Sequence, residues 1–150
     1  MIADSEALPP SFGAALLQGL KKGVIASLGV IKVMFPVTLA VALLKVTPLF
    51  GGLAEVCRPL MGLFGLRGET ALPFILGGLL NLYVAIGAMI PLGLTSRETT
   101  ILAAMLLISH NLPVETAVIK GIDAPWIPLL ALRLGAALAL GFLLSLVLPA

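Results

Sequence analysis

Long apolar runs, separated by short polar stretches, are the dominant pattern of the chain. Residues 24–44, 70–91 and 127–148 form three such runs, and a fourth begins at Ile101. Each of the three is close to the roughly 20 residues with which a helix crosses a bilayer. The runs are continuous in Leu, Ala, Ile and Gly, whereas strands of a membrane β-barrel alternate polar and apolar positions. The pattern therefore predicts an all-α integral membrane protein with about four transmembrane helices.

Two further segments are too short or too irregular to cross a bilayer by themselves. Residues 11–20 are apolar and end at a pair of lysines, so we expect them to lie on or enter the membrane interface. Residues 48–66 mix glycines and prolines with Glu55 and Arg58. This second segment fits either an interfacial amphipathic helix or the first arm of a re-entrant hairpin.

Polar and helix-breaking residues interrupt two of the long runs. Residues 70–91 contain several glycines and Asn81, features that fit a break midway along that helix. Thr95 and Glu98 have the spacing of a capping box and predict a helix start. That helix reaches the polar residues 109–113 before it is long enough to span, so we expect a hairpin or a broken helix there.

Composition supports the membrane assignment and removes one class of partner. The chain is 60% hydrophobic, with nine Lys or Arg and seven Asp or Glu among 150 residues, and its mean hydropathy is +1.19. The net charge of +2 is small and dispersed, which gives no footprint for nucleic acid. We expect one membrane domain over residues 1–150, with a Gate-like core defined below.

Strongly polar residues within the apolar runs are candidates for a functional site, because placing them in a bilayer is costly. The first group has Glu69 and Thr70 at a predicted helix start, followed by Asn81 and Tyr83. Asn81 would share a helix face with Gly77, so its amide would project where the backbone is accessible. The alternative is that Asn81 only bonds a neighbouring helix.

The second group of candidates surrounds Pro113. Its members are Ser109, His110, Asn111, Glu115 and Thr116. Proline with an Asn or Ser cap lets one helix end and another begin at membrane depth. Half-helix N-termini would then offer free amides to an anionic or hydroxyl-rich solute. The alternative places this segment at the membrane surface as a solvated loop.

Motifs of enzymes and of metal or cofactor sites are absent from the sequence. It has no His-Glu-x-x-His, no phosphate-binding glycine loop and no Gly-x-Ser-x-Gly. Ser109, His110 and Glu115 are residue types of a hydrolytic set, but nearness in sequence is poor evidence for a triad. The single histidine could share a metal only with a second copy. We expect no enzymatic activity, no metal and no cofactor.

The last run offers packing faces and a charge that needs a partner. Small residues recur at every fourth position in two stripes, Ala131–Gly135–Ala139 and Ala137–Gly141–Ser145. Such stripes let helices approach closely, which favours a homo-oligomer. Arg133 in this run and Lys32 in the first run require acidic partners, and Glu69 and Glu115 are the candidates.

A short motif also recurs along the chain. Glu69 and its following threonine precede Asn81 by nearly the same interval at which Glu98 and its following threonine precede Asn111. Internal repeats are a common plan of transporters, although matches this short also arise by chance.

Two stretches carry a resemblance to a known family. They are Arg67-Gly-Glu-Thr-Ala-Leu-Pro followed by Asn81-Leu-Tyr-Val-Ala-Ile-Gly87, and Ser109-His-Asn-Leu-Pro-Val-Glu-Thr116. Over residues 45–121 the chain resembles the nucleoside recognition or Gate domain family, which includes spore maturation membrane proteins and the Gate region of ferrous iron transport protein B.

The resemblance implies re-entrant hairpins and broken helices like those of concentrative nucleoside transporters. Glu69 and Thr70 would correspond to the first hairpin tip, Asn81 to the broken helix after it, and 111–116 to the second discontinuity. Within its 150 residues the chain has one such unit and no GTP-binding domain. These departures from the family mean that the resemblance alone does not assign a nucleoside or iron as the solute.

The resemblance and the residues together imply a small Gate-type membrane protein. As a dimer, or with a related Gate subunit, it would form a polar midplane site for solute transport, with a nucleoside-like or other small polar solute. The alternative is a non-transporting scaffold or regulatory subunit of a larger complex. We expect it in the cytoplasmic (inner) membrane of a prokaryote, in contact with lipids, and its orientation stays open because basic residues show little bias between loops.

Overall fold

The computed structural model describes residues 11–149, and the regular secondary structure of this part is helical. The helices are α1 Phe12–Leu44, α2 Pro48–Gly62, α3 Ala71–Leu79, α4 Leu82–Met89, α5 Ser96–Ser109, α6 Leu112–Gly121 and α7 Trp126–Val147, with 3-10 turns at Gly68–Thr70 and Ile90–Leu92. Within the described residues, three helical segments are long and apolar enough to cross a membrane: α1, the pair α5 and α6, and α7. The all-helical membrane class is confirmed. The fourth predicted span is divided between α3 and α4.

Helix α1 is longer than the sequence pattern suggested. The stretch 11–20, predicted as a separate interfacial segment, is continuous with the following span, and Pro36 lies inside the helix without ending it. An apolar helix retains its backbone bonds because hydrocarbon offers no other partners. The chain forms two compact units that divide after Lys32. In the second unit Thr38 donates its hydroxyl to the Gly87 carbonyl of α4 at 2.9 Å.

Helix α2 is a short, non-spanning element that packs on the 3-10 turn before α3. Its 15 residues give a length of about 22 Å, less than the hydrocarbon thickness. Gly68 in the 3-10 turn lies directly against the Ala54 carbonyl, and an added Cβ would collide with that oxygen. A glycine is therefore required at this crossing.

Helices α3 and α4 form a tight helical hairpin. A Cβ added to Gly77 would lie 2.7 Å from the Cβ of Ala85, although on one straight helix the two residues would be about 12 Å apart. The chain reverses at Leu80 (φ −107°, ψ −83°) and the extended Asn81. Asn81 then caps α4 by accepting the Val84 N–H at 3.0 Å. The expected interruption within residues 70–91 is present.

Helices α5 and α7 run antiparallel and hold the core of the second unit. The predicted capping box of Thr95 and Glu98 starts α5. At that end Arg97 donates to the carbonyls of Ser145 (2.8 Å) and Leu148 (3.3 Å), where α7 ends. The fully buried hydrophobic residues of α5 are Ile101, Leu102, Met105 and Leu106.

Of the two small-residue stripes of α7, only one packs against other described residues of the chain. Ala137 and Gly141 are buried, and the side chain of Met105 lies where a Cβ on Gly141 would stand. The other stripe, centred on Gly135, faces open space.

Candidate functional site

The two helix interruptions meet through a backbone hydrogen bond. Asn111 donates its N–H to the carbonyl of Gly77 at 3.0 Å. In an uninterrupted α3, that carbonyl would accept from the N–H of residue 81, but the chain has already turned into the hairpin there. The break after α3 thus leaves the Gly77 carbonyl without its helical donor. The N–H of Asn111, at the break after α5, bonds to that carbonyl instead.

The second interruption has a local cause in its own residues. His110 is extended and Asn111 adopts the left-handed conformation (φ 55°), after which α6 begins with Pro113 in its first turn. Asparagine tolerates positive φ better than most residues, and proline has no N–H to continue the α5 ladder. Because α7 packs along both α5 and α6, this element is a broken helix rather than a hairpin.

Arg133 of α7 supplies a hydrogen-bond donor to the backbone at the end of α5. Its Nε donates to the Ile108 carbonyl at 2.8 Å, one of the acceptors left near the end of α5. The same guanidinium forms an ion pair with Glu115 in the first turn of α6. Of the two acidic partners considered for Arg133, the structure selects Glu115.

Two other polar residues of this break, Ser109 and His110, face the backbone of their own helix. Ser109 is buried and donates its hydroxyl to the Met105 carbonyl at 2.8 Å. Nδ1 of His110 lies 3.1 Å from the Leu106 carbonyl. Thr116 lines a groove beside α6.

Asn81 and Tyr83 contribute differently from what their spacing suggested. The side-chain oxygen of Asn81 serves as the cap of α4, so the structure gives it a local partner. Tyr83 is half exposed. The first break is therefore linked to the second by the Gly77 carbonyl and not through either of these side chains.

Glu69 and Thr70 belong to a separate polar cluster at the other end of α3, which we call the Arg67 cluster: Arg67, Glu69, Thr70, Thr95 and Glu98. Arg67 binds Glu98 through both carboxylate oxygens, at 2.8 and 3.3 Å. Its Nη1 also lies 3.7 Å from Oε2 of Glu69, and Thr70 is fully buried and donates to the Arg67 carbonyl at 2.6 Å. The hydrogen bond to Glu98 raises the pKa of Arg67 above its usual value.

The nine candidate residues thus fall into two groups separated by the length of α3. Sequence reasoning did not identify Arg67 as the central residue of the Arg67 cluster, although Arg67 lies within the motif that carried the resemblance. It placed Glu98 in a capping box and in a short recurring motif, but not beside Arg67. The signal available was the nearness of Arg67 to Glu69, but its main partner is distant in sequence.

These features define a helical membrane protein in which two interrupted helices bond to one another at their breaks. The chain matches the family model described as Gate, nucleoside recognition, over residues 27–124. That range contains both breaks and the Arg67 cluster. The chain belongs to the Gate family, as the sequence resemblance indicated.

The chain is also similar to a bacterial membrane protein. The chain is 41% identical over 131 residues to YvoD of Bacillus subtilis (strain 168), which is named as an uncharacterized membrane protein. The alignment covers 87% of this chain and 42% of the relative, so the chain spans less than half the relative's length. No solved structure matches the chain.

Proposed function

We propose that this chain is a Gate-type membrane protein of solute transport, in which the paired breaks form half of a polar midplane site. The Asn111 N–H to Gly77 carbonyl bond carries the proposal, because it brings two interrupted helices to one point. Irregular backbone at membrane depth is tolerated where it is buried in protein or lines a watery cavity. Discontinuous helices of this kind form solute sites in several transporter folds.

The solute side of the proposed half-site combines backbone amides with one charged pair. The first turn of α6 is open toward its N-terminus, because Asn111 makes no side-chain cap there. A half-helix N-terminus favours hydroxyl or anionic groups. Glu115 and Arg133 would orient such groups or exchange partners with them. A nucleoside or another small polar solute fits this chemistry.

A second copy or a related Gate subunit would complete the site. The exposed stripe around Gly135 allows close approach of another helix. Mass measurement and crosslinking in mild detergent should show dimers or larger assemblies. A clean monomer at every accessible concentration would rule out completion by a second copy.

The proposal includes a non-enzymatic role. Ser109, His110 and Glu115 engage separate partners, namely the Met105 carbonyl, the carbonyls of Leu106 and Leu107, and Arg133. A nucleophile–base relay needs these side chains to bond one another.

The test is uptake by proteoliposomes across a panel of nucleosides, organic acids and divalent metals. Asn111→Ala and Glu115→Ala should reduce uptake of the solute that is found, and Asn81→Ala should reduce it by loosening the α4 cap. Thr100→Ala is the matched control, because Thr100 is exposed on α5 and donates its hydroxyl to the Ser96 carbonyl of the same helix. If all three variants transport like the parent, the proposed site is wrong.

A scaffold or regulatory role is the second candidate, and an apolar groove favours it. The groove of about 480 Å³ between α4 and α5 is lined by apolar residues such as Leu82, Ile86 and Leu107. A partner helix could pack there by close contact rather than by polar recognition. Cysteine probes placed at positions 81 and 111, after replacement of the single native Cys57, should react with water-soluble reagents in a transporter and stay protected in a scaffold.

A further inference from the structure

A trough with one polar end lies beside helices α6 and α7; we call it the α6–α7 trough. Its larger part, about 400 Å³, has Leu130 and Leu134 along the α7 side, with Thr116 and Lys120 on the α6 side. A smaller part of about 210 Å³ shares Leu134 and continues to Phe74 of α3. The trough is therefore apolar over most of its length.

The polar end of the trough carries a positive charge beside an aromatic ring. Lys120 lies in the last turn of α6, and its Nζ is 4.0 Å from the centre of the Trp126 ring. The ring covers one side of an ammonium group that has three N–H donors, so donors remain for another partner. Tryptophan is enriched at the level of lipid headgroups, which places this ammonium at that level.

The depth of the trough fits an acyl chain below a headgroup. Along α7, the distance from Trp126 to Leu134 is about 12 Å at 1.5 Å per residue. A solute without a long apolar part would leave this wall uncovered, whereas a neutral lipid would make no use of the Lys120 charge. The occupant that matches both ends is an amphiphile with an anionic head.

We propose that the α6–α7 trough binds one anionic phospholipid, with its phosphate at Lys120 and an acyl chain along Leu130 and Leu134 toward Phe74. Basic pockets between transmembrane helices are known to select anionic headgroups. The proposal rests on the trough alone and does not require that the protein transports a solute.

Trp126 makes the proposal directly measurable, because it is the single tryptophan of the chain. The full chain is placed in phosphatidylcholine nanodiscs that contain a small fraction of phosphatidylglycerol, with bromine on the acyl chains of one lipid at a time. Brominated phosphatidylglycerol should quench Trp126 more strongly than brominated phosphatidylcholine at the same mole fraction. Equal quenching by the two lipids in the parent protein would overturn the proposal.

Charge variants test the headgroup end, and native mass spectrometry of retained lipids reads them without relying on the tryptophan. Lys120→Gln should lower the preference for phosphatidylglycerol about fivefold, the factor that corresponds to about 1 kcal/mol per basic residue near an anionic surface. Asp123→Asn, which removes an acidic residue from the same turn, should raise it. Arg58→Gln is the control, because Arg58 is an exposed basic residue on α2. A preference unchanged in Lys120→Gln, or lowered equally in Arg58→Gln, contradicts the proposal.

A bulky variant tests the acyl end in a protein that keeps its charges. Ala117 lines the trough, whereas its neighbour Val118 is exposed outside the lining. Ala117→Phe should reduce the number of phosphatidylglycerol molecules retained, and Val118→Phe should leave it unchanged. Equal effects of the two variants would show that the lipid lies elsewhere.

Soluble glycerol phosphate separates a lipid site from a phosphate site. It carries the anionic head without the acyl chains, so it should not displace brominated phosphatidylglycerol from Trp126. Displacement by glycerol phosphate would show that the site takes a small anion, and the lipid proposal would be wrong.

Discussion

Replacing Gly77 with alanine is expected to destabilise the second unit, because an added methyl group would meet side chains of both α4 and α5. The new methyl carbon would stand 2.5 Å from Cδ2 of Leu106 and 2.7 Å from Cβ of Ala85. The end of the Leu106 side chain can rotate away, but the Cβ of Ala85 moves only with its backbone. The hairpin of α3 and α4 must therefore open.

The size of the effect follows from comparison with the next residue. Overpacking of a close-packed site costs about 1–3 kcal/mol, while a glycine-to-alanine change in a helix contributes up to about 1 kcal/mol of propensity. Gly78→Ala makes the same chemical change in the same helix, but its Cβ would be 3.6 Å from the Ser109 carbonyl oxygen, an ordinary contact. The propensity gain cancels between the two variants, so Gly77→Ala should be less stable than Gly78→Ala by about 1–3 kcal/mol.

The assay is reversible unfolding of purified variants in mixed micelles, followed by circular dichroism over a denaturant titration. The free energies of unfolding of the parent and the two alanine variants are compared under one micelle composition. If Gly77→Ala is as stable as Gly78→Ala, the hairpin does not cross at Gly77 as closely as described. Opening the hairpin would also displace the Gly77 carbonyl, which accepts the Asn111 N–H. Amide exchange at Asn111 should therefore be faster in Gly77→Ala and unchanged in Gly78→Ala.

Three other substitutions probe the cap, the Arg67 cluster and the second break. Thr95→Ala should lower the free energy of unfolding by about 0.5–2 kcal/mol, the usual cost of losing an N-cap, in the same titration; an unchanged value would mean that the capping box does not hold α5. Arg67→Met should cost about 1–3 kcal/mol by leaving the buried carboxylate of Glu98 without its charged partner, and the double variant with Glu98→Gln should recover part of that loss; no recovery would assign the effect to lost packing. Pro113→Ala should let α5 run on into α6, because alanine restores a backbone donor, and should alter the reactivity of a cysteine probe in the break more than stability; unchanged reactivity and uptake would place the segment at the membrane surface.

Several structural features followed from local sequence signals. The capping box needed only Thr95 and Glu98, which lie within one turn of each other, and both interruptions occur where glycine, asparagine or proline weakens a helix. The Glu115–Arg133 pair was among the partners considered, because a charge within an apolar membrane segment needs an acidic or basic partner. Such signals depend on residues that are near one another in the sequence, or on the cost of placing polar groups in the bilayer.

Other features could not be obtained from local patterns. The two stripes of α7 look alike in the sequence, yet only Ala137 and Gly141 pack inward, because Met105 of α5 fills the space at Gly141. Arg67 has an acidic neighbour in Glu69, but its hydrogen-bonded partner is Glu98, which arrives from another helix. These choices depend on which helix faces which.

By itself, the sequence determined that this protein lies in a membrane, that it is helical, and where its helices are interrupted. These properties depend on hydrophobicity and on backbone chemistry along the chain. Only the tertiary structure brings the two helix interruptions into contact. The Gly77 carbonyl loses its helical donor where α3 turns into α4, and it finds the Asn111 N–H only because α5 packs close enough to supply it. A hydrogen bond between two breaks requires both helices to be in place, and no single segment of the chain specifies that geometry.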